Sequence, residues 1–131
     1  MIVRRAEWSP VTEAYIEKAV ISGGLDDIKR QTERGAQLFQ VEDDAGAVVC
    51  AFVLRVDYYA CRTVGVVVAA GGACDGVDLT AVLMPHIEKH MFVGVDAIAV
   101  HTERRGLVRK LEPQGYRVAE IILEKEVKNH G

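Results

Sequence analysis

The side chains able to do chemistry are few and scattered along the 131 residues. His86 and His90 stand four apart, a spacing that on a helix turns two imidazoles toward one metal ion. Ile87, Glu88 and Lys89 between them do not make an H-E-x-x-H pattern. No third ligand is identifiable, so a packed or solvated pair is expected and no metal site. Glu42, Asp43 and Asp44 offer a base for deprotonating an amine, but they precede a turn, where short acidic side chains serve the backbone. Arg104, Arg105, Arg109 and Lys110 form a basic cluster with no acidic residue between them. Arginine forks suit phosphate oxygens or an acidic protein surface; a solvated helix face is the plainer alternative. No aromatic interleaving or base-reading motif accompanies the cluster, so no nucleic-acid partner is expected. Trp8 and the pair Tyr58, Tyr59 suit a ligand groove or, more simply, core or interface packing.

Cys50, Cys61 and Cys74 are an odd number at wide spacings, which fits neither a disulfide framework nor a zinc ribbon. Cys50 lies in an apolar run and reads as a buried thiol. Cys74, in a glycine-rich loop, is the one to test for reactivity.

These residues are positioned by helices first and strands after. Ser9-Pro10 starts a helix, with serine as cap and proline in the first turn. Val11, Ala14, Tyr15, Ala19 and Val20 follow at helical spacing, and Gly23-Gly24 ends the segment. Asp26 can cap a second, largely polar surface helix that stops at Gly35. Residues 38–41, 48–56 and 64–70 read as strands, with a hairpin turn at Asp44-Ala45-Gly46. The third is nearly all apolar, as a central strand covered on both faces would be. Asp78 caps a helix presenting Leu79, Val82, Leu83, Ile87 and Met91, interrupted by Pro85, where a kink is expected. Residues 97–100 make a strand and 104–111 a short helix, with a turn at Pro113-Gln114-Gly115. Residues 116–127 are expected to close the chain as a long strand.

Length and composition place this in one domain, 1–131, with leading helices over 1–36 and sheet and core helices over 37–127. Half the residues are hydrophobic and 27% are charged, with a net charge of −3. No apolar run approaches the roughly 18 residues a membrane helix needs, and no secretory signal is visible, so a cytoplasmic protein without a membrane partner is expected.

The order helix, helix, three strands, helix, strand, helix, strand resembles the GNAT superfamily of N-acetyltransferases. The stretch from Ala97 to Val127, with its Gly115-Tyr116 pair, looks like that family's fifth strand, fourth helix, glycine-aromatic turn and sixth strand. The resemblance implies an α/β domain, a mixed and mostly antiparallel sheet flanked by helices. It also implies a site for acetyl-CoA, with the pyrophosphate on backbone amides of a loop patterned R/Q-x-x-G-x-G/A. Here that loop is Gly71-Gly72-Ala73-Cys74-Asp75-Gly76-Val77-Asp78. It has glycines but no Arg or Gln, and two aspartates sit where phosphate charge would arrive. Family members also carry a tyrosine five residues before the aromatic of the pair, where it protonates the leaving thiolate; that position is Leu111. A common family asparagine at the start of the same helix aligns with Arg104.

Two readings remain open. The first is a non-catalytic domain without cofactor, working through a protein partner or as a homo-oligomer, with Arg104, Arg105, Arg109 and Lys110 as partner-binding residues. Residues 102–106 and 123–126 resemble short GNAT-like proteins encoded among phage structural genes, which implies a virion or assembly role, in the cytoplasm or in a phage particle. The second is a divergent acyl-CoA-dependent N-acyltransferase that holds acetyl-CoA through backbone groups around Val66, Val68, Gly71 and Gly72.

Overall fold

The computed structural model describes residues 1–19, 24–73 and 76–128. Its elements in chain order are β1 (Ile2–Arg5), α1 (Pro10–Ala19), α2 (Gly24–Glu33), β2 (Gln37–Glu42), β3 (Val48–Tyr58), β4 (Thr63–Gly72), α3 (Leu79–His86), β5 (Ala97–Val100) and α4 (Arg105–Leu111). The strands lie in the order β1-β2-β3-β4-β5. The first four pair antiparallel and β5 joins β4 in parallel, which is the expected mixed, mostly antiparallel sheet. No helix among the described residues is long and apolar enough to cross a membrane.

Helices cover both faces of this sheet, and β3 shows why. Its alternate residues Cys50, Phe52 and Leu54 pack with Leu83, Met84 and Ile87, whereas Ala51 and Val53 pack with Ile16 and Ile28. Period-two alternation thus feeds two cores at once. Strand β4 also contributes to both cores, but out of step. Val53 pairs with Ala69 and Leu54 with Val67, leaving Val68 as an extra residue in a β-bulge. Val68 and Ala69 therefore both face α1 and α2. Close approach sets the composition at Gly65, where a Cβ would stand 2.6 Å from the Phe92 ring.

Several sequence expectations hold in detail. Ser9 and Thr12 cap α1 reciprocally: the Ser9 N–H donates to Thr12 Oγ1 at 2.9 Å and the Thr12 N–H to Ser9 Oγ at 3.3 Å. Asp43 closes the β2–β3 turn by accepting from the Ala45 and Ala47 amides, both at 2.9 Å. Cys50 is buried, and desolvation pushes its thiol up to about 12.

Other expectations are corrected. Ile2–Arg5 was not expected to be a strand, yet it pairs with β2. Arg4 reaches Glu42 at 2.9 Å and Arg5 lies over the Phe39 ring, so the two arginines suit an edge strand. The inward residues of α1 are Thr12 and Ile16, with Val11 exposed, because the cap turns Thr12 inward; Val20 and Gly23 lie outside the described residues. Val82 is exposed and Met84 takes its place in the core. Irregularity at Pro85 takes the form of a π-helical turn, Ile87–Met91, closed by the Phe92 N–H on the Ile87 carbonyl at 3.0 Å. Tyr58 and Tyr59 are exposed at the β3–β4 turn rather than packed. The largest correction concerns residues 116–128. They carry no strand pairing, and Val118, Ile121, Ile122, Leu123 and Val127 are all exposed.

Candidate functional site

The feature with most chemical potential is the fork between β4 and β5. The two strands pair only from Val64↔Ala97 to Val67↔Val100. The bulge at Val68 bends β4 away just as that ladder ends. The last bond across is the His101 N–H on the Val67 carbonyl at 3.1 Å. Beyond it, β4 continues to Gly72 alone on this side.

The mouth of the fork is closed by an arginine. Arg104 Nη2 donates to the Ala70 carbonyl at 3.3 Å, occupying a backbone acceptor that a ligand would otherwise meet. The cavity left among Val67, Ala70, Val100, His101 and Leu107 is about 20 Å³, room for a single water molecule. Gly71 and Gly72 have a packing role: a Cβ on Gly71 would collide with the Tyr15 carbonyl of α1, and one on Gly72 with the Val49 carbonyl. Val66 is buried and lies in the ladder with both β3 and β5. Of the four candidate cofactor-binding residues, Val68 alone is a bulge residue outside both ladders.

The helix end beside the fork is equally filled. Asp78 Oδ1 accepts from the Thr80 N–H at 3.1 Å and the Ala81 N–H at 3.3 Å. Free amides at a helix start attract anions, and here the chain's own carboxylate takes them. Lys110 Nζ stands 3.6 Å from that oxygen; both partners are about half exposed, so the pair adds little stability. Cys74 and Asp75 lie outside the described residues.

The basic cluster divides by task. Arg104 closes the fork and Lys110 faces Asp78, while Arg105 and Arg109 are exposed and make no ion pair among the described residues. The acidic triplet is structural: Glu42 pairs with Arg4, Asp43 caps the turn, and Asp44 lies 3.5 Å from the N-terminal amine. His86 and His90 have ring centroids 5.0 Å apart, and the described residues hold no group of three or more His, Cys, Asp or Glu that would bind a metal ion. Trp8 packs at the α1–α2 core and donates from Nε1 to Thr32 Oγ1 at 3.0 Å.

Leu111 is a buried core residue with no proton to give. Tyr116 donates its hydroxyl to Glu88 at 2.7 Å. Partial burial, and then that carboxylate, raise its pKa well above the ordinary phenol value. His101 is the functional candidate that sequence reasoning missed. Partial burial of its ring, then the Arg55 charge, lower its pKa, against an opposing pull from Asp57 and Glu120. Its signal was an imidazole set directly after four apolar strand residues.

No family model matches the chain, and no curated protein matches it by sequence. Solved structures do match in shape. A putative acetyl transferase from Pyrococcus furiosus superposes with a TM-score of 0.63 at 14% identity, over 79% of this chain and 74% of that one. A transcriptional regulator from Bacillus halodurans gives 0.68 at 11% identity, over 96% and 99%. An aminoglycoside 6'-N-acetyltransferase from Acinetobacter haemolyticus gives 0.59 at 10% identity, over 99% and 100%. The fold is therefore GNAT-like. At these identities the likeness is one of fold alone.

Proposed function

We propose that this GNAT-like domain does not bind acyl-CoA and acts through protein contacts, as an assembly component rather than a catalyst. The observation that carries this reading is Asp78, whose carboxylate already holds the α3 amides that would receive a pyrophosphate. A phosphate group arriving there would have to displace a bonded anion and face its charge. The closed fork and the apolar Leu111 agree with this. The likeness of residues 102–106 and 123–126 to phage-encoded proteins is the ground for a virion or assembly setting, with Arg105 and Arg109 as the cations available to an acidic partner.

Titration with acetyl-CoA tests the reading. At 131 residues, a ligand present at about a hundred times its dissociation constant adds about 2.7 kcal/mol, a rise in Tm on the order of 10 °C. We expect no measurable rise with acetyl-CoA at about 1 mM. A rise of that size would overturn the proposal.

One observation favours the alternative, a divergent acyl-CoA-dependent N-acyltransferase. His101, at the fork, has a lowered pKa and so is a neutral base at pH 7, able to take a proton from an amine. On that reading His101→Ala abolishes acetyl transfer at unchanged Tm.

A further inference from the structure

His86 and His90 are used by neither the core nor the fork, and their arrangement is that of a chelating pair. They stand at the C-terminal end of α3, where the helix runs into the π-helical turn Ile87–Met91. That turn is held from two directions. Ile87 is buried beside Leu83 and Met84, and the Glu88 carboxylate accepts from the Tyr116 hydroxyl at 2.7 Å. On either side of these anchors in the chain, His86 is half-buried and His90 exposed, so solvent reaches the pair.

The spacing of the rings fits one shared ion. An imidazole bound through one nitrogen has its centroid about 3.2 Å from the metal, a bond of about 2.05 Å plus about 1.15 Å from nitrogen to ring centre. Two such rings at a tetrahedral angle are about 5.2 Å apart, and at a right angle about 4.5 Å. The centroids of His86 and His90 are 5.0 Å apart, with the ring planes at 49°. A stacked pair would have nearly parallel planes and an edge-to-face pair nearly perpendicular ones; this pair has neither. Among the described residues neither ring makes a hydrogen bond or an ion pair. Each neutral imidazole therefore keeps a ring nitrogen with its lone pair free.

The donor set selects the class of cation. Two imidazoles suit the late first-row divalent ions Ni²⁺, Cu²⁺ and Zn²⁺, whereas Mg²⁺ and Ca²⁺ require oxygen ligands. The carboxylate between them in sequence, Glu88, is engaged by Tyr116. We propose that His86 and His90 form a surface site for one late first-row divalent cation, with water in the remaining coordination positions. The bound ion clips the last turn of α3 to the π-helical turn and leaves positions open to a donor from another molecule. No carboxylate or carbonyl supports the far nitrogen of either ring, as tightly bound metals require, so the affinity is micromolar. The site does not depend on the absence of acyl-CoA, and either proposal can fail without the other.

Isothermal titration calorimetry of the full chain with Ni²⁺ tests this, with the histidine proton resonances read on the same samples. One equivalent of Ni²⁺ should bind, Cu²⁺ should bind more tightly, and Mg²⁺ should not bind. His90→Ala should weaken Ni²⁺ binding at least about tenfold, since losing even an outer support of a metal ligand costs that much. Its circular dichroism should be unchanged, because His90 is exposed. The chain has four histidines, and the wild type alone supplies a second readout. Paramagnetic broadening by Ni²⁺ should reach His86 and His90 before His101 and His130. No binding at up to about 1 mM Ni²⁺ overturns the proposal. Binding that His90→Ala leaves intact, or broadening that spares these two rings, overturns it equally, because the ion would then sit elsewhere, as on the exposed Cys61 thiol.

Discussion

Strand β4 and residues 116–127 are both rich in valine, isoleucine and leucine or alanine, and they differ in every physical respect that makes a strand. β4 is hydrogen-bonded to β3 on one side and β5 on the other, and its Val64, Val66, Val67 and Ala69 are all buried. The tail has the composition and neither neighbour. A strand is a relation between two pieces of backbone, and apolar content says only that a piece will be stable once it has partners.

The sharpest test of this contrast is to remove side-chain volume from the paired sheet, at the strand beside β4, and from the tail. Phe52, fully buried on β3 against Phe39 at a centroid distance of 5.4 Å, should cost about 3–5 kcal/mol as Phe52→Ala in urea denaturation. Adding volume to β4 comes next. Gly65→Ala would push a methyl into the Phe92 ring and should cost about 1–3 kcal/mol; a neutral outcome would mean that the ring is looser than its burial implies. Asp78→Ala removes the α3 cap and should cost about 1 kcal/mol, a loss that Asp78→Asn should largely avoid. Smallest of all, Ile122→Ala, at a side chain that is exposed in the chain, should change stability by under about 0.5 kcal/mol. A cost approaching that of Phe52→Ala would erase the contrast, because the tail would then be packed on its own chain.

Tyr116 ties the base of the tail to Glu88 and supplies a pH test. Its folded pKa is raised, so the folded state holds the phenolic proton more tightly than the unfolded chain does. That contribution is fully present below the ordinary phenol pKa of 10.0 and is lost as pH rises from there through the higher folded value. Stability followed by Tm should therefore fall above about pH 10, and less steeply in Tyr116→Phe.

What could be read from sequence follows from the range of the interactions involved. The Ser9 and Asp78 caps, the Asp43 turn and the extent of β5 are set within a few residues of chain, and each was legible there. β1 was missed because Arg4 and Arg5 are tolerated only at an edge, next to Glu42 and Phe39, which lie far along the chain. The tail was expected to close the chain as a strand, in line with the family resemblance, and neither ground carries information about whether a partner is in place. At the candidate site, the aspartate at the loop's end was legible both as negative charge and as the cap of α3. The Arg104 bond to Ala70 was not foreseeable, since it joins residues 34 apart. The glycines of the loop looked like room for a ligand, and the position of α1 shows that Gly71 is room for a helix.

The bulge at Val68 carries a consequence for the tolerance of β4 to change in length. Losing one residue from a strand ordinarily reverses parity, sending every later side chain to the opposite face. Val68 is the exception within β4. Val67 and Ala69 already point to opposite faces, so deleting the residue between them restores strict alternation and leaves Ala70 and Gly71 facing as before. The β3 ladder would run on without interruption. What would be lost is the bend, and with it the divergence from β5. The fork thus hangs on one residue, whose deletion takes from the α1–α2 core the Val68 side chain alone and leaves the facing of its neighbours unchanged.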